Sequence, residues 1–199
     1  MEGKKHNVLI LAGTNDQMGA ESLRFFTNHW KNHGIDITVY NMGWKDGSKE
    51  FEPKLAAIEK LVEELAAKGP VSIIGCSAGA SAAFNLLLKR PDVVQKAIGI
   101  CGRIRGAKTD WGANLKSRTF HQSVLLFEEQ QDKISEELKK RMMTISARFG
   151  DGLVPKGTSH VEGATNITIP MGGHGVSIRA AVTLFKKPLV DFIKLSPEK

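Results

Sequence analysis

The stretch VSIIGCSAGA, residues 71–80, decides the fold of this 199-residue chain. Its first half is apolar and rich in β-branched residues, which predicts a buried strand over residues 71–75. The small apolar segment that follows Gly79, residues 80–88, predicts a buried helix. Between strand and helix lies the pattern Gly-x-Ser-x-Gly, a sharp turn that exposes the hydroxyl of Ser77. The turn requires small residues two before and two after the serine, because larger side chains there would collide with the helix and the neighbouring strand, and glycine occupies both positions.

Six short apolar runs along the chain predict strands, and helical patterns or glycine-rich loops separate them. Each run is almost continuously apolar, as expected of a strand that helices cover on both faces. Strands alternating with helices at this spacing predict an α/β protein with a mostly parallel six-stranded sheet and right-handed crossovers. The predicted strands are residues 8–12, 37–40, 71–75, 97–101, 143–147 and 167–169.

Five segments predict helices from their apolar spacing or their composition. The first ends at the expected C-cap Gly34, and the second begins with Pro53, which suits a first helical turn. The last contains Pro188, where we expect a kink or an interruption. The predicted helices are residues 21–33, 53–65, 80–88, 134–142 and 176–195.

The composition, 41% apolar and 25% charged, is typical of a single globular domain over residues 1–199. The sequence has no apolar run of membrane-spanning length and no signal-peptide pattern after Met1. The two cysteines, Cys76 and Cys101, lie in apolar runs and are too few for a disulfide framework, so we expect free, buried thiols in a cytoplasmic protein.

The net charge of +7 raises the question of an acidic partner such as nucleic acid. The basic residues are interleaved with glutamates, and no basic run carries the interleaved aromatic residues that bind single strands. We therefore expect no nucleic-acid partner. The chain also lacks metal-ligand spacing and a dinucleotide-binding fingerprint, so we expect neither a metal nor a cofactor.

A serine hydroxyl becomes a nucleophile when a base removes its proton, and histidine suits that task. His174 lies in MGGHG, residues 171–175, directly after the last predicted strand and before the last helix. It is therefore expected at the carboxyl edge of the sheet, where ligands bind in open α/β folds. The other histidines precede the serine or lie in loops that follow no predicted strand; they are His6, His29, His33, His121 and His160.

The imidazole needs an acidic partner to hold its tautomer and stabilise its positive charge. Asp151 follows the fifth predicted strand and is the leading candidate, although Gly-Asp-Gly is also ordinary turn chemistry. The reserve candidates are Glu128, Glu129 and Asp132. Ser77 and His174 also have structural alternatives to a catalytic role: Ser77 could cap the helix, and His174 could be an ordinary loop residue.

The chain order Ser77, Asp151, His174 distinguishes one serine-hydrolase fold from the others. In this order, and in its elbow GCSAG (75–79), acid loop DGLVP (151–155) and histidine loop GGHG (172–175), the sequence resembles the α/β-hydrolase superfamily. The resemblance spans nearly the whole chain. It implies a catalytic triad of these three residues.

An oxyanion hole would bind the negative charge that develops during acyl transfer. The N–H of Ala78, at the start of the helix after the elbow, is one expected donor. The resemblance implies a second backbone donor in the loop after the first strand, here residues 12–15, AGTN, with Ala12 where the family usually has histidine. Thr14 is the expected donor and Asn15 its alternative; a plain strand-to-helix loop is the alternative to both.

The expected reaction is hydrolysis of a small-molecule carboxylic ester through an acyl-enzyme, although thioesters and amides use the same machinery. An acyltransferase or lyase, and a non-catalytic binding protein of the same fold, are the alternatives. Residues 102–141 form a possible small cap. Its apolar residues either line an acyl pocket or pack against the core: Trp111, Phe120, Val124, Leu125, Leu126 and Phe127. Its cations are compatible with an anionic substrate or with a solvated loop: Arg103, Arg105, Lys108, Lys116 and Arg118.

Overall fold

A computed structural model describes residues 5–108 and 117–195 of the chain. Six strands form a single sheet in the order β2-β1-β3-β4-β5-β6, and all five pairings are parallel. This confirms the parallel six-stranded sheet that the sequence predicts. The strands are β1 (His6–Leu11), β2 (Ile35–Tyr40), β3 (Val71–Cys76), β4 (Val94–Ile100), β5 (Met142–Ala147) and β6 (Thr165–Ile169).

Helices cover both faces of the sheet. In chain order, the α-helices are α1 (Asp16–Thr27), α2 (Glu52–Ala66), α3 (Gly79–Lys89), α4 (Arg118–Glu128), α5 (Glu136–Lys139), α6 (His174–Val182) and α7 (Lys186–Lys194). Two short 3₁₀-helices, Asn28–His33 and Gln131–Lys133, accompany them.

The strands alternate their side chains between two apolar layers, as the pleat of a strand requires. Leu9 and Leu11 of β1 pack with α2, α3 and α4, whereas Val8 and Ile10 pack with α1, α6 and α7. All six residues of β3 are buried, because this strand lies inside the sheet between β1 and β4. The strand that leads to Ser77 is therefore held on both edges and both faces.

Several strands begin earlier than predicted, because polar residues conceal their first positions. In β4, Gln95 and Lys96 interrupt the apolar run, yet the side chain of Lys96 is covered and its ammonium lies 4.9 Å from the ring centroid of Phe192. The prediction that β4 starts at residue 97 is therefore wrong by three residues. Covering the stem of a lysine while its charge meets an aromatic face makes such a position tolerable in a strand.

The predicted helix over residues 134–142 is mostly wrong. Only Glu136–Lys139 is α-helical, because Ser135 caps its start by accepting a hydrogen bond from the Leu138 N–H and β5 begins at Met142. The helix predicted over residues 21–33 is correct in place but begins at Asp16 and changes to a 3₁₀-helix at Asn28.

The last predicted helix is interrupted, but not at Pro188. The chain leaves α6 after Val182 and starts α7 at Lys186, so Pro188 falls in the first turn of α7. A first-turn N–H has no partner within its helix, and proline therefore costs little there. Because proline has no N–H to donate within a helix, the chain breaks before Pro188 instead of kinking at it.

Helix α4 was not predicted and is packed into the core beside α3. Its Ser123 hydroxyl lies 2.8 Å from the Ser81 hydroxyl, and its Phe127 ring stacks on Phe84 with centroids 5.2 Å apart. The side chains of Phe120, Val124 and Phe127 are buried, and Leu125 and Leu126 pack against the same layer. These five residues therefore pack against the core, which is one of the two roles considered for them above. Trp111 and Lys116 lie outside the described residues.

Candidate active site

Ser77 occupies a strained turn between β3 and α3. Its φ of 55° lies in the left-handed region that residues with side chains seldom adopt. A Cβ placed on Gly75 would lie 2.2 Å from the carbonyl oxygen of Gly79, and one on Gly79 would lie 2.3 Å from that of Leu11. Only glycine fits at either position, and the collisions are the expected ones, with the helix and the neighbouring strand.

The backbone around Ser77 is fixed by hydrogen bonds to both sides of the turn. The Ser77 N–H donates to the carbonyl of Ile100 at the end of β4, at 2.9 Å. Its carbonyl accepts from the Ala80 N–H at 3.1 Å, which anchors the first turn of α3. Ala78 is the N-cap residue of α3. Since the first N–H groups of a helix lack partners within it, this end of α3 favours a negative charge beside Ser77.

The loop after β1 approaches the serine closely at Gly13. A Cβ at that position would lie 2.7 Å from the Cβ of Ser77 and 3.1 Å from its Oγ, so glycine is required for the approach. This brings the next residue, Thr14, into the neighbourhood of the hydroxyl. Sequence reasoning did not single out Gly13, although its position between a strand end and the expected donor was a usable signal.

His174 is the first residue of α6 and contacts both other residues of the expected triad. Its Nε2 lies 2.8 Å from Ser77 Oγ, and its Nδ1 lies 2.7 Å from Asp151 Oδ1 and 2.9 Å from Asp151 Oδ2. An ionised carboxylate only accepts hydrogen bonds, so Nδ1 carries the proton that it donates to Asp151. In this tautomer Nε2 is free to accept the hydroxyl proton of Ser77.

Asp151 is held in a loop that its own carboxylate organises. Its Oδ1 accepts hydrogen bonds from the N–H groups of Leu153 at 3.1 Å and Val154 at 2.9 Å. The side chain is 9% exposed, against 15% for His174. The Gly173 N–H donates to the Gly150 carbonyl at 2.8 Å, which ties the acid loop directly to the histidine loop.

Cys101 lies beside Asp151. The sequence pattern placed this cysteine inside the fourth predicted strand. It follows β4 with a φ of 49°, the second non-glycine residue of positive φ among the described residues, and its side chain is buried. Burial, together with the charge of Asp151 and a hydrogen bond to its carboxylate, raises the pKa of the Cys101 thiol. The thiol therefore stays protonated and stands beside the carboxylate as a neutral donor.

Both thiols are expected to resist modification in the folded protein. Cys76 is also buried, and burial raises the pKa of its thiol to about 12. Since the thiolate is the reactive form, dithionitrobenzoate at pH 8 should label neither cysteine in native protein and both in guanidinium chloride. Labelling of either thiol at the rate of an unfolded control, without loss of structure, would contradict the burial of these residues.

The other candidate residues have different partners. His6 lies at the start of β1 with Nε2 2.9 Å from the Ser72 hydroxyl, and burial lowers its pKa. His121 Nε2 lies 2.8 Å from the carbonyl of Ala107. Of the reserve acids, Glu128 accepts from the N–H groups of Gly106 and Ala107, Glu129 pairs with Lys108, and Asp132 lies in the second 3₁₀-helix. His29 and His33 belong to the first 3₁₀-helix.

Across residues 5–108 and 117–195, three or more His, Cys, Asp or Glu side chains nowhere converge in a way that could hold a metal ion. In the same ranges, no helix combines the length and apolar character needed to cross a membrane.

Comparison with known proteins gives matches in structure only. No family model and no curated protein matches the sequence. The chain is similar to an alpha/beta hydrolase enzyme from the metagenome of sediments of the Mar Chica lagoon, Morocco, with a TM-score of 0.69, 14% identity and coverage of 96% of this chain and 92% of that one. A hydrolase from Oleispira antarctica gives a TM-score of 0.69, 13% identity and coverage of 96% and 92%.

A monoacylglycerol lipase from Paleococcus ferrophilus matches with a TM-score of 0.63, 13% identity and coverage of 94% of this chain and 93% of that one. These similarities extend over nearly the full length of each compared structure, and the parallel six-stranded sheet agrees with them. The chain has the fold of the α/β-hydrolase superfamily.

Proposed function

We propose that the protein is a serine hydrolase that cleaves a carboxylic ester through the triad Ser77, His174 and Asp151. One observation carries the proposal: a single imidazole lies 2.8 Å from the serine Oγ through Nε2 and 2.7 Å from the aspartate Oδ1 through Nδ1. These distances fit a nucleophile, a base and an orienting acid in hydrogen-bond contact before substrate arrives.

The proposed reaction begins when Ser77 Oγ attacks the ester carbonyl and His174 Nε2 takes the hydroxyl proton. The carbonyl π-bond opens, and the negative charge on its oxygen is stabilised by the N–H groups of Ala78 and Thr14. Asp151 stabilises the imidazolium without accepting its proton. The imidazolium then protonates the leaving alkoxide. In the second half of the reaction, water attacks the acyl carbonyl while His174 takes its proton, and the acid leaves as His174 returns the proton to Ser77 Oγ.

The surroundings of Asp151 support its role as the orienting acid. Two backbone N–H groups, of Leu153 and Val154, fix one carboxylate oxygen, so the carboxylate cannot rotate freely away from the imidazole. Low exposure of the pair strengthens their electrostatic interaction. The close approach of Gly13 to Ser77 supports Thr14 as the second oxyanion donor, since the loop after β1 lies against the hydroxyl.

The ester substrate is proposed from the similar structures. One of them is named a monoacylglycerol lipase, and another is described among lipolytic enzymes from a metagenome. We propose a single domain over residues 1–199, with 102–141 as a small insertion rather than a separate lid. The packing of α4 against α3 supports this organisation, because it commits residues 118–128 to the core.

Two other functions use the same arrangement of residues. A thioesterase or acyltransferase would form the same acyl-enzyme but would differ in the leaving group or the acceptor. A non-catalytic binding protein would leave Ser77 unreactive. Comparing thioesters with esters identifies a thioesterase, and adding an alcohol acceptor identifies an acyltransferase. Whether Ser77 reacts at all distinguishes an enzyme from a non-catalytic binding protein.

A fluorophosphonate probe tests the proposal directly. We expect the probe to label Ser77 alone, with labelling retained in Ser48→Ala, a variant in an exposed loop, and lost in Ser77→Ala. A panel of p-nitrophenyl esters of increasing acyl length then measures turnover and the size of the acyl pocket. Native protein that reacts with neither the probe nor any ester would contradict the proposed function.

A further inference from the structure

A chamber of about 750 Å³ opens beside the acid loop, at the carboxyl edge of the sheet. Its walls come from the end of β5, the acid loop as far as His160, and Thr168 of β6, with Cys101 at its inner side. Ser77 and His174 are not among its lining residues, whereas Asp151 is. The chamber is therefore adjacent to the proposed triad but distinct from the place where the reacting atoms meet.

The charges that line this chamber are unbalanced. Arg148 and Lys156 bring two positive charges to its lining, and Asp151 is its one acidic residue among the described part of the chain. Within residues 5–108 and 117–195, the side chains of Arg148 and Lys156 make no ion pair. A concave surface concentrates the field of such charges, so the chamber attracts anions more strongly than a flat surface with the same residues.

The carboxylate of Asp151 is engaged by His174 and not by either cation. Both of its carboxylate oxygens contact His174 Nδ1, and Oδ1 also accepts two backbone N–H groups. Its side chain is only 9% exposed. The carboxylate is therefore directed at the imidazole, and the two cations keep their capacity to bind a ligand.

The uncharged part of the lining consists of a hydroxyl pair and an apolar wall. The hydroxyls of Ser146 and Thr168 lie on adjacent strands at one side, 3.2 Å apart and hydrogen-bonded to each other. Leu153 is 72% exposed and lines the chamber with Val154 and Pro155. A ligand with an anionic group and a short carbon skeleton would meet both kinds of surface.

We propose that this chamber is a binding site for a small organic anion, held through a phosphate or carboxylate group by Arg148 and Lys156. Guanidinium binds either group with two parallel hydrogen bonds, and the lysine ammonium adds a second positive charge. The site does not depend on the proposed reaction, because its residues include neither the nucleophile nor the base.

Amide NMR titrations with inorganic phosphate and with succinate test the site in the 21.7 kDa protein. We expect saturable shifts of the signals of Gly150, Gly152 and Gly157, all in the chamber wall. The double variant Arg148→Gln/Lys156→Gln should weaken binding by at least about tenfold, as expected from the loss of charged hydrogen bonds. Binding of either probe supports the site, and the tighter of the two identifies the preferred oxyanion.

The matched control is Lys60→Gln/Lys133→Gln, which removes the same charge from exposed positions outside the chamber. We expect it to change binding by less than about twofold, since distant surface charges are largely screened. The proposal is overturned if neither probe shifts the loop signals, or if both double variants weaken binding equally, which would indicate general attraction to a chain of net charge +7. Because the readout is binding, a failure here leaves the proposed hydrolase activity untouched.

Discussion

Ser77→Ala is expected to lower ester turnover by about 10⁶-fold, because residues of a triad act as a unit and little remains when one is removed. The loss should appear in kcat for the best substrate of the p-nitrophenyl panel. The variant removes only the Oγ that contacts His174 Nε2 at 2.8 Å and leaves the turn in place. Its thermal unfolding should therefore match that of the unaltered protein.

The companion variant Asp151→Asn separates the triad from a simple reactive serine. An amide that donates to Nδ1 favours the wrong tautomer of His174 and should cost about 10⁴-fold in kcat. Retention of ester turnover in Ser77→Ala would refute the nucleophile. Full activity in Asp151→Asn with Ser77→Ala inactive would instead refute the orienting role of the acid.

Gly75→Ala is expected to have the largest effect on stability. The added Cβ would lie 2.2 Å from the carbonyl oxygen of Gly79, 2.4 Å from its carbonyl carbon and 2.5 Å from Ala80 Cα, all of them backbone atoms. Neither β3 nor α3 can move away, since both are buried between neighbouring elements. We expect the free energy of unfolding to fall by about 3 kcal/mol or more, measured by denaturant titration.

Gly19→Ala is the matched control for this variant. Gly19 lies within α1, and a Cβ there would meet nothing closer than Asn15 Cβ at 3.7 Å. Alanine in a helix interior is favoured over glycine, so this variant should be more stable by about 0.5–1 kcal/mol. If Gly75→Ala unfolds at the same denaturant concentration as the unaltered protein, the close packing of the elbow described above is wrong.

Ser77→Ala and Gly75→Ala alter different parts of one turn. The strain at Ser77, with its φ of 55°, persists because Gly75 and Gly79 let α3 approach β3 and β1 closely. That approach sets the serine hydroxyl at the edge of the sheet, within reach of the histidine loop. The stability of the elbow and the proposed reactivity of Ser77 therefore depend on the same backbone contacts, but only the proposed reactivity depends on the hydroxyl.

The local sequence determined most of the fold. Continuous apolar runs indicate buried parallel strands, and two glycines around a serine indicate the turn after β3. Both features can be predicted without knowing the tertiary contacts. The sequence also predicted the chain order of Ser77, Asp151 and His174 and the position of each residue after a strand. The sequence favoured Asp151, which follows a predicted strand, but left Glu128, Glu129 and Asp132 as reserve candidates, because Gly-Asp-Gly is also ordinary turn chemistry.

Only the tertiary structure decided which groups meet. His174 contacts Ser77, which lies 97 positions earlier in the sequence, and Asp151, which lies 23 positions earlier. A hydrogen bond from the Gly173 N–H to the Gly150 carbonyl joins the two loops that carry the histidine and the acid. Cys101 beside Asp151, Gly13 against Ser77 and the cation-lined chamber likewise arise where separate strands end at one edge of the sheet. Parallel strands bring distant residues together there, and no local pattern records which of them will touch.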